Sequence, residues 1–364
     1  MERSENDSTK KKINANNTIS QRVTSFFRHF NNDLAIDLGT ANTIIFKGNR
    51  IELNEPSIVA YDNNTNKIIA VGRNAQGMIG RVHKDITICK PMEEGVIANP
   101  YVAEGMLRAY INRVSNGSWA RRIIVGVPSG ITEAGMRIMR DSCEHAGAKE
   151  VHLITEPMAS AIGMGLEVLE PKGNLIVDIG GGTTEIAVIA LGGIVCKESI
   201  KTAGNVITKS ILQYFRNRHN LEIGEATAEG LKIAGGSAYK MDKEASVVVK
   251  GRDIVTGIPK SIQISSVDLR ENAINPSVKI IIDAIINLLV KIPPELASDI
   301  FDRGLWLTGG GALLRGLNKR IEEVTKLPVS IPENPLLTVA LGTGIVLNNL
   351  KLYRNVLIKQ SPYL

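Results

Sequence analysis

Residues 33–43 read DLAIDLGTANT, and residues 174–188 read NLIVDIGGGTTEIAV. In each, a short apolar run reaches an Asp (Asp37, Asp178), then an apolar residue, a Gly and a small hydroxyl-bearing turn. The pattern predicts a β-hairpin with an acidic mouth. The turn glycines let backbone N–H groups approach phosphate oxygens, and Thr hydroxyls donate alongside them. A carboxylate so near a phosphate cannot bind it directly. It suits a Mg²⁺ ion, which keeps most of its waters. One such hairpin reads as an ordinary glycine turn, but two matched copies facing each other would clamp a triphosphate. A third glycine turn, LTGGGALL at 307–314, follows a strand, opens a helix and could lie against a base and ribose. None of the three is a Walker A loop or GxGxxG.

The intervening elements must bring these turns together. RIIVGVP (122–128) and EVHLITEP read as strands, and TEAGMRIMRDSCEHAG (132–147) as a helix with Thr132 at its N-cap and Gly147 as its stop. MASAIGMGLEVL, TKSILQYFRNRHN and GEATAEGLKIAGG read as helices. The stretch 174–201 reads as three strands around glycine turns, VVVKGRDIVTGIPKSIQIS as short strands, and GLWLTGGGALLRGLNKRIEEV as strand, glycine turn and helix. This alternation is α/β, and the repeated hairpin implies a duplication at domain scale. A length of 364 residues accommodates two domains.

Composition narrows the function. The formal charge is +6, and residues 1–30 contribute six basic residues (Arg3, Lys10, Lys11, Lys12, Arg22, Arg28) against three acids (Glu2, Glu5, Asp7). With that arm removed the body is nearly balanced, and aromatics are 4%, which speaks against a nucleic-acid partner. Cys89, Cys143 and Cys196 are few and far apart, which points to a reducing, cytoplasmic setting without disulfides or zinc. His83, His145, His152 and His219 share no ligand spacing. No early apolar run reads as a signal peptide, and IIIDAIINLLV (280–290), interrupted by Asp283 and Asn287, reads as a buried helix.

The segments NDLAIDLGTANT, NEPSIVA, VDIGGGTTEIAV, GEATAE and PPELASDIFDRGLWLTGGGALLRGL together resemble the MreB family of bacterial actin homologues, from about Asn32 to about Leu350. The resemblance implies a duplicated two-domain ATPase fold, actin-like and ribonuclease H-like, with ATP in the cleft between domains. It implies domains over 33–170 (smaller subdomain about 56–90) and 171–338 (smaller subdomain about 205–270), with 339–364 as a helix returning to the first domain and a tail. The family's ATP contacts fall on Gly39, Thr40, Ala41, Asn42 and Thr43, on Gly181, Gly182 and Thr183, on Glu229, Gly230, Leu231 and Lys232, and on Gly310, Gly311, Ala312 and Leu313. Asp37 and Asp178 would organise Mg²⁺ through water.

The chain departs from the family pattern at VPSGITEAGMR. Gly135 stands where the resemblance leads one to expect a Glu that orients the attacking water, and Met136 where it expects Arg. A Glu there would also complete a capping box with Thr132. Other departures are AGN at 203–205 for Gly-Gly-Asp, Gly230 for Arg and Thr155 for Glu. The reading taken is that Gly135 impairs hydrolysis and leaves a weak ATPase; the rival reading is that another group holds the water. No catalytic residue is assigned at this stage.

Residues 1–18 are rich in Asn, Ser and Lys and read as a disordered arm. Ile19, Val23, Phe26, Phe27 and Phe30 then fall on one helical stripe beside Arg22 and Arg28. Such a helix suits an anionic membrane surface, or docks on the protein itself. The reading is an ATP-dependent filament of self-assembling copies, cytoplasmic and membrane-associated, which by resemblance guides cell-wall elongation enzymes and rod shape. A related filament with another cargo and a small-molecule kinase of the same superfold are the rival readings.

Overall fold

The computed structural model describes residues 32–48, 50–116 and 120–359. The stripe Ile19, Val23, Phe26, Phe27 and Phe30 lies outside them, as does the 1–18 arm.

Two five-stranded sheets carry the fold. The first runs Ala148–Thr155, Ala120–Val127, Leu34–Leu38, Asn42–Lys47, Arg50–Pro56; the second runs Val329–Ser330, Leu305–Thr308, Asn174–Ile179, Thr184–Ala190, Gly193–Ile200. In both, the chain order is the same: three antiparallel strands in sequence, then two added in parallel beside the first. The hairpin repeat is thus the visible part of a repeated topology. Asn174–Ile179 and Thr184–Ala190 are buried along their whole length, as expected of strands covered on both faces. Helices Pro100–Ser115 and Glu133–His145 pack on the first sheet, and Gly204–His219 and Asn275–Leu289 on the second. Each lobe also carries a three-stranded sheet: Ile68–Val71, Val59–Asp62 and Ile86–Cys89 in the first, Leu221–Glu222, Ser246–Asp253 and Pro259–Ser265 in the second.

Among the described residues, one helical stretch, Ser266–Leu289, is apolar and long enough to cross a membrane by length and composition alone. Ile281, Ile282, Ile285 and Leu288 in it are core residues of the second lobe, in line with a buried helix. The helix expected over MASAIGMGLEVL is shorter, Glu156–Gly163, because Gly165 adopts φ +75 and turns the chain away.

Between the sheets, helices Glu156–Gly163 and Thr338–Asn348 lie against each other at glycines. A Cβ on Gly342 would overlap the Ala159 carbonyl oxygen, and one on Gly163 would overlap that of Thr338. Backbone this close leaves no room for a methyl, and neither carbonyl can yield without unwinding its helix. Gly342→Ala should therefore destabilise the protein by about 1–3 kcal/mol, through overpacking. Thermal unfolding would show this as a midpoint lowered by several degrees; an unchanged midpoint would mean that the helix pair slides apart freely.

Candidate nucleotide site between two acidic hairpins

The first hairpin closes with Gly39 N donating to Asn42 O at 3.1 Å, the second with Gly180 N donating to Thr183 O at 2.9 Å. The two tips meet. A Cβ on Gly182 would sit 2.5 Å from Thr40 Oγ1, and one on Gly181 would sit 3.2 Å from Ala41 Cβ. Glycine is required here by the close approach of one tip to the other. Ser57, from the NEPSIVA segment, braces the first turn from behind. Its hydroxyl donates to Gly39 O at 2.6 Å and its N–H donates to Ala41 O at 2.9 Å. Thr43 is fully buried and shares a 2.9 Å hydrogen bond with the Ser57 hydroxyl. It is part of the brace, with its hydroxyl turned to Ser57. Asn42 and Ala41 are exposed at the tip.

The other two segments gather on the second hairpin. Helix Gly204–His219 starts on it, with Gly204 N donating to Gly180 O (3.1 Å) and Asn205 N donating to Gly181 O (2.8 Å). Lys232 donates to Gly204 O and Thr208 Oγ1, both at 3.0 Å, and pairs with Glu229 at 2.8 Å. The helix Glu225–Gly235 is thereby held beside the turn. Gly230 has open space where its side chain would be, whereas Leu231 is a core residue and turns away from the cleft. The third turn is pressed onto the strand Asn174–Ile179: a Cβ on Gly309 would overlap Asp178 Oδ1, and one on Gly311 would overlap Ile179. The turn winds into a single 3₁₀ turn, Gly310–Leu313, and the α-helix begins only at Leu317, later than expected. Ala312 is buried and Leu313 is exposed.

Four carboxylates converge under the tips. Burial, and then the nearby Asp178, push the Asp37 carboxyl up to about 7. Burial pushes Asp178 up to about 6; a 2.7 Å hydrogen bond from the Ser160 hydroxyl opposes this and Glu185 adds to it. Glu156, first residue of the helix between the lobes, is pushed well above the ordinary carboxylate range by burial and then by Glu185, Asp37 and Asp178. Glu185 is the cross-strand partner of Asp178, accepts from the backbone N–H of Ser129 at 2.9 Å and from the Ser129 hydroxyl, and accepts from Ser199 at 2.6 Å. Since Ser129 belongs to the first lobe, Glu185 ties the lobes together beneath the hairpins, and Lys197 strengthens the tie by donating to Ser129 O.

Like charges gathered out of water are costly unless a cation meets them. The donor set therefore fits a divalent ion. Among the described residues no three His, Cys, Asp or Glu side chains are gathered to ligate a metal directly.

Glu156 and Glu185 were not singled out from the sequence. A Glu inside TTEIAVIA, a strand otherwise apolar after its first threonines, was the available signal for Glu185. Gly135, by contrast, lies among its own neighbours. A Cβ there would meet Ile131 at 2.9 Å and Thr132 Oγ1 at 3.4 Å as its nearest neighbours. The Thr132 cap is present without a Glu, its hydroxyl accepting from Gly135 N at 3.1 Å.

Two lobes with the same sheet order, joined by two helices and facing each other with matched acidic hairpins, define an actin-like fold. The chain belongs to the MreB/Mbl family: the family described as MreB/Mbl protein matches residues 31–355. It is 44% identical to the cell shape-determining protein Mbl of Bacillus subtilis, over 88% of this chain and 97% of that one. It is equally identical to the cell shape-determining protein MreB of Escherichia coli K12, over 91% and 98%. Among solved structures it resembles MreB5 of Spiroplasma citri bound to AMPPNP (TM-score 0.82, 38% identity, 88% of this chain and 96% of that one). The same protein bound to ADP superposes with TM-score 0.84. A MamK double helical filament, at 22% identity and TM-score 0.73, shares the fold.

Proposed function

We propose that this chain binds ATP with Mg²⁺ between the two hairpins and assembles with copies of itself into actin-like filaments on the inner membrane surface, where they guide cell-wall elongation and rod shape. The observation that carries the proposal is the tip-to-tip approach of two glycine turns above the half-buried Asp37 and the buried Asp178. Neighbours bound to AMPPNP and ADP, and relatives named for determining cell shape, support it.

In this reading the backbone of Gly39–Ala41 and Gly181–Thr183 holds the phosphates, with the Thr40 and Thr183 hydroxyls beside it. Glu229, Lys232 and the turn at Gly310–Gly311 border the nucleoside. Asp37 and Asp178 would hold Mg²⁺, and the ion would supply charge neutralisation at the phosphates. Beside the reading that Gly135 impairs hydrolysis, we take up the second, because another carboxylate stands in the cleft. Glu156 stands beside Asp37 and Asp178, where its ionised carboxylate would be placed to orient water and accept its proton.

High-speed sedimentation tests the proposal. With ATP and Mg²⁺ the purified chain should pellet, and with anionic liposomes it should pellet with the lipid. A chain lacking residues 1–30 should still pellet with ATP but leave the liposomes behind. Wild-type protein that stays in the supernatant with ATP would contradict the filament reading. Liposome binding unchanged by the truncation would move the membrane site elsewhere.

A further inference from the structure

Residues 90–97 cross the mouth of the cleft. Met92–Glu93 and Val96–Ile97 pair as a tight hairpin, and its two turn residues, Glu94 and Gly95, have φ of +49 and +77, the pattern of a type I′ turn. Glycine adopts this freely. Glu94 does not, and a non-glycine residue in the left-handed region persists where its surroundings impose it, often at ligand clamps.

Those surroundings are the two phosphate turns. Gly95 N donates to Thr40 Oγ1 at 3.2 Å. A Cβ on Gly95 would lie 2.5 Å from Pro128 and 3.3 Å from Thr183 Cγ2, and one on Gly182 would lie 3.0 Å from Glu94 Cα. The turn therefore rests on both hairpin tips at once. Two ion pairs fasten it to the second lobe. Lys90 pairs with Glu225 at 2.5 Å, and Glu94 pairs with Lys201 at 2.6 Å. Glu225 opens the helix that carries Glu229 and Lys232, so one pair anchors the nucleoside side of the cleft and the other the phosphate side.

We propose that Lys90–Ile97 is a clasp over the nucleotide site, and that its two cross-cleft ion pairs set the rate at which nucleotide leaves. This rests on the nucleotide reading above. Parting the lobes must break both pairs and lift Glu94 and Gly95 off Gly182 and Thr183. All four charged side chains are at least 36% exposed. Exposed pairs are individually weak and screened by salt, so the clasp opens thermally and acts as a gate.

The test is stopped-flow release of a fluorescent N-methylanthraniloyl-ATP, with Mg²⁺, from the full chain. Lys201→Glu places two acids together and should speed release by about two- to fivefold, the worth of an exposed pair. The swap Glu94→Lys/Lys201→Glu should return the rate to that of wild type, and 0.5 M salt should narrow the gap between wild type and the single variant. The Lys90→Glu and Lys90→Glu/Glu225→Lys proteins should behave in parallel. Amide exchange of 90–97 in nucleotide-free protein should rise in each single variant and fall back in each swap. Single variants that release at the wild-type rate with unmoved exchange overturn the clasp alone, as do swaps that fail to restore. Wild type that binds no analogue overturns the nucleotide reading and the gate with it.

Discussion

Glu156→Gln should bind Mg²⁺-ATP as wild type does and release phosphate about 10²–10⁴-fold more slowly, the range for losing a positioned proton acceptor. The substitution keeps the shape and hydrogen-bonding reach of the side chain but removes its basicity. The half-buried Glu156 carboxyl lies among Asp37, Asp178 and Glu185, which with burial hold its proton affinity well up. Filaments of the variant should persist after ATP addition where wild-type filaments turn over. Gly135→Glu makes the contrast. If Glu156 already holds the water, phosphate release in this variant should stay within about twofold of wild type, far short of what a newly positioned catalytic group contributes. Phosphate release at saturating ATP, with binding measured separately, decides between them. A large gain in Gly135→Glu together with a small loss in Glu156→Gln would return the water to the position the sequence pattern first pointed to.

Asp178→Ala should weaken Mg²⁺-ATP binding by roughly 10- to 100-fold, the usual effect of losing an outer-sphere partner of a metal. Asp178 is fixed by Ser160 and backs onto the third glycine turn, so it is held in place before any ligand arrives. The same carboxylates make binding and stability depend on pH. Both carboxyls are raised, Asp37 to about 7 and Asp178 to about 6, from an ordinary value of 3.8. A raised acid holds its proton more tightly in the folded chain than in the unfolded one. Its contribution to stability is complete below about pH 4 and is lost as pH rises through 6 to 7. Nucleotide-free Asp37→Asn should therefore gain stability relative to wild type as pH is raised from 4 to 7.5, read by denaturant midpoints at each pH. Affinity of wild type for Mg²⁺-ATP should fall as pH drops below about 6, because protons compete for the carboxylates the ion needs. Asp178→Ala binding as tightly as wild type, or a stability gap that ignores pH, would separate the acidic pair from the ion.

The hairpins were legible because each is local: apolar run, Asp, glycine turn and hydroxyls lie within a dozen residues, and periodicity carries the strands. The same is true of Thr132 as a cap and of the third glycine turn. What the sequence concealed is built from parts far apart in the chain. Ser57 braces Gly39 from 18 positions away, and Ser129 meets Glu185 from 56. Glu156 reads as one more helix-start acid until the fold brings Asp37 and Asp178 to it. Thr43 and Leu231 sit inside matching motifs but face the interior, because strand alternation and the helix's apolar stripe decide which side of a motif meets a ligand. The clasp joins residues whose pairing depends on how the lobes close, which no local pattern encodes.

The central claim is that two acidic hairpins bind Mg²⁺-ATP between them and that the chain so loaded assembles into filaments. Electron microscopy of the purified full chain, imaged with Mg²⁺-ATP, with Mg²⁺ alone, and as Asp178→Ala with Mg²⁺-ATP, tests it most directly. The account predicts filaments in the first sample and their absence or marked depletion in the other two. Filaments of equal abundance in all three, or none with ATP, would contradict it.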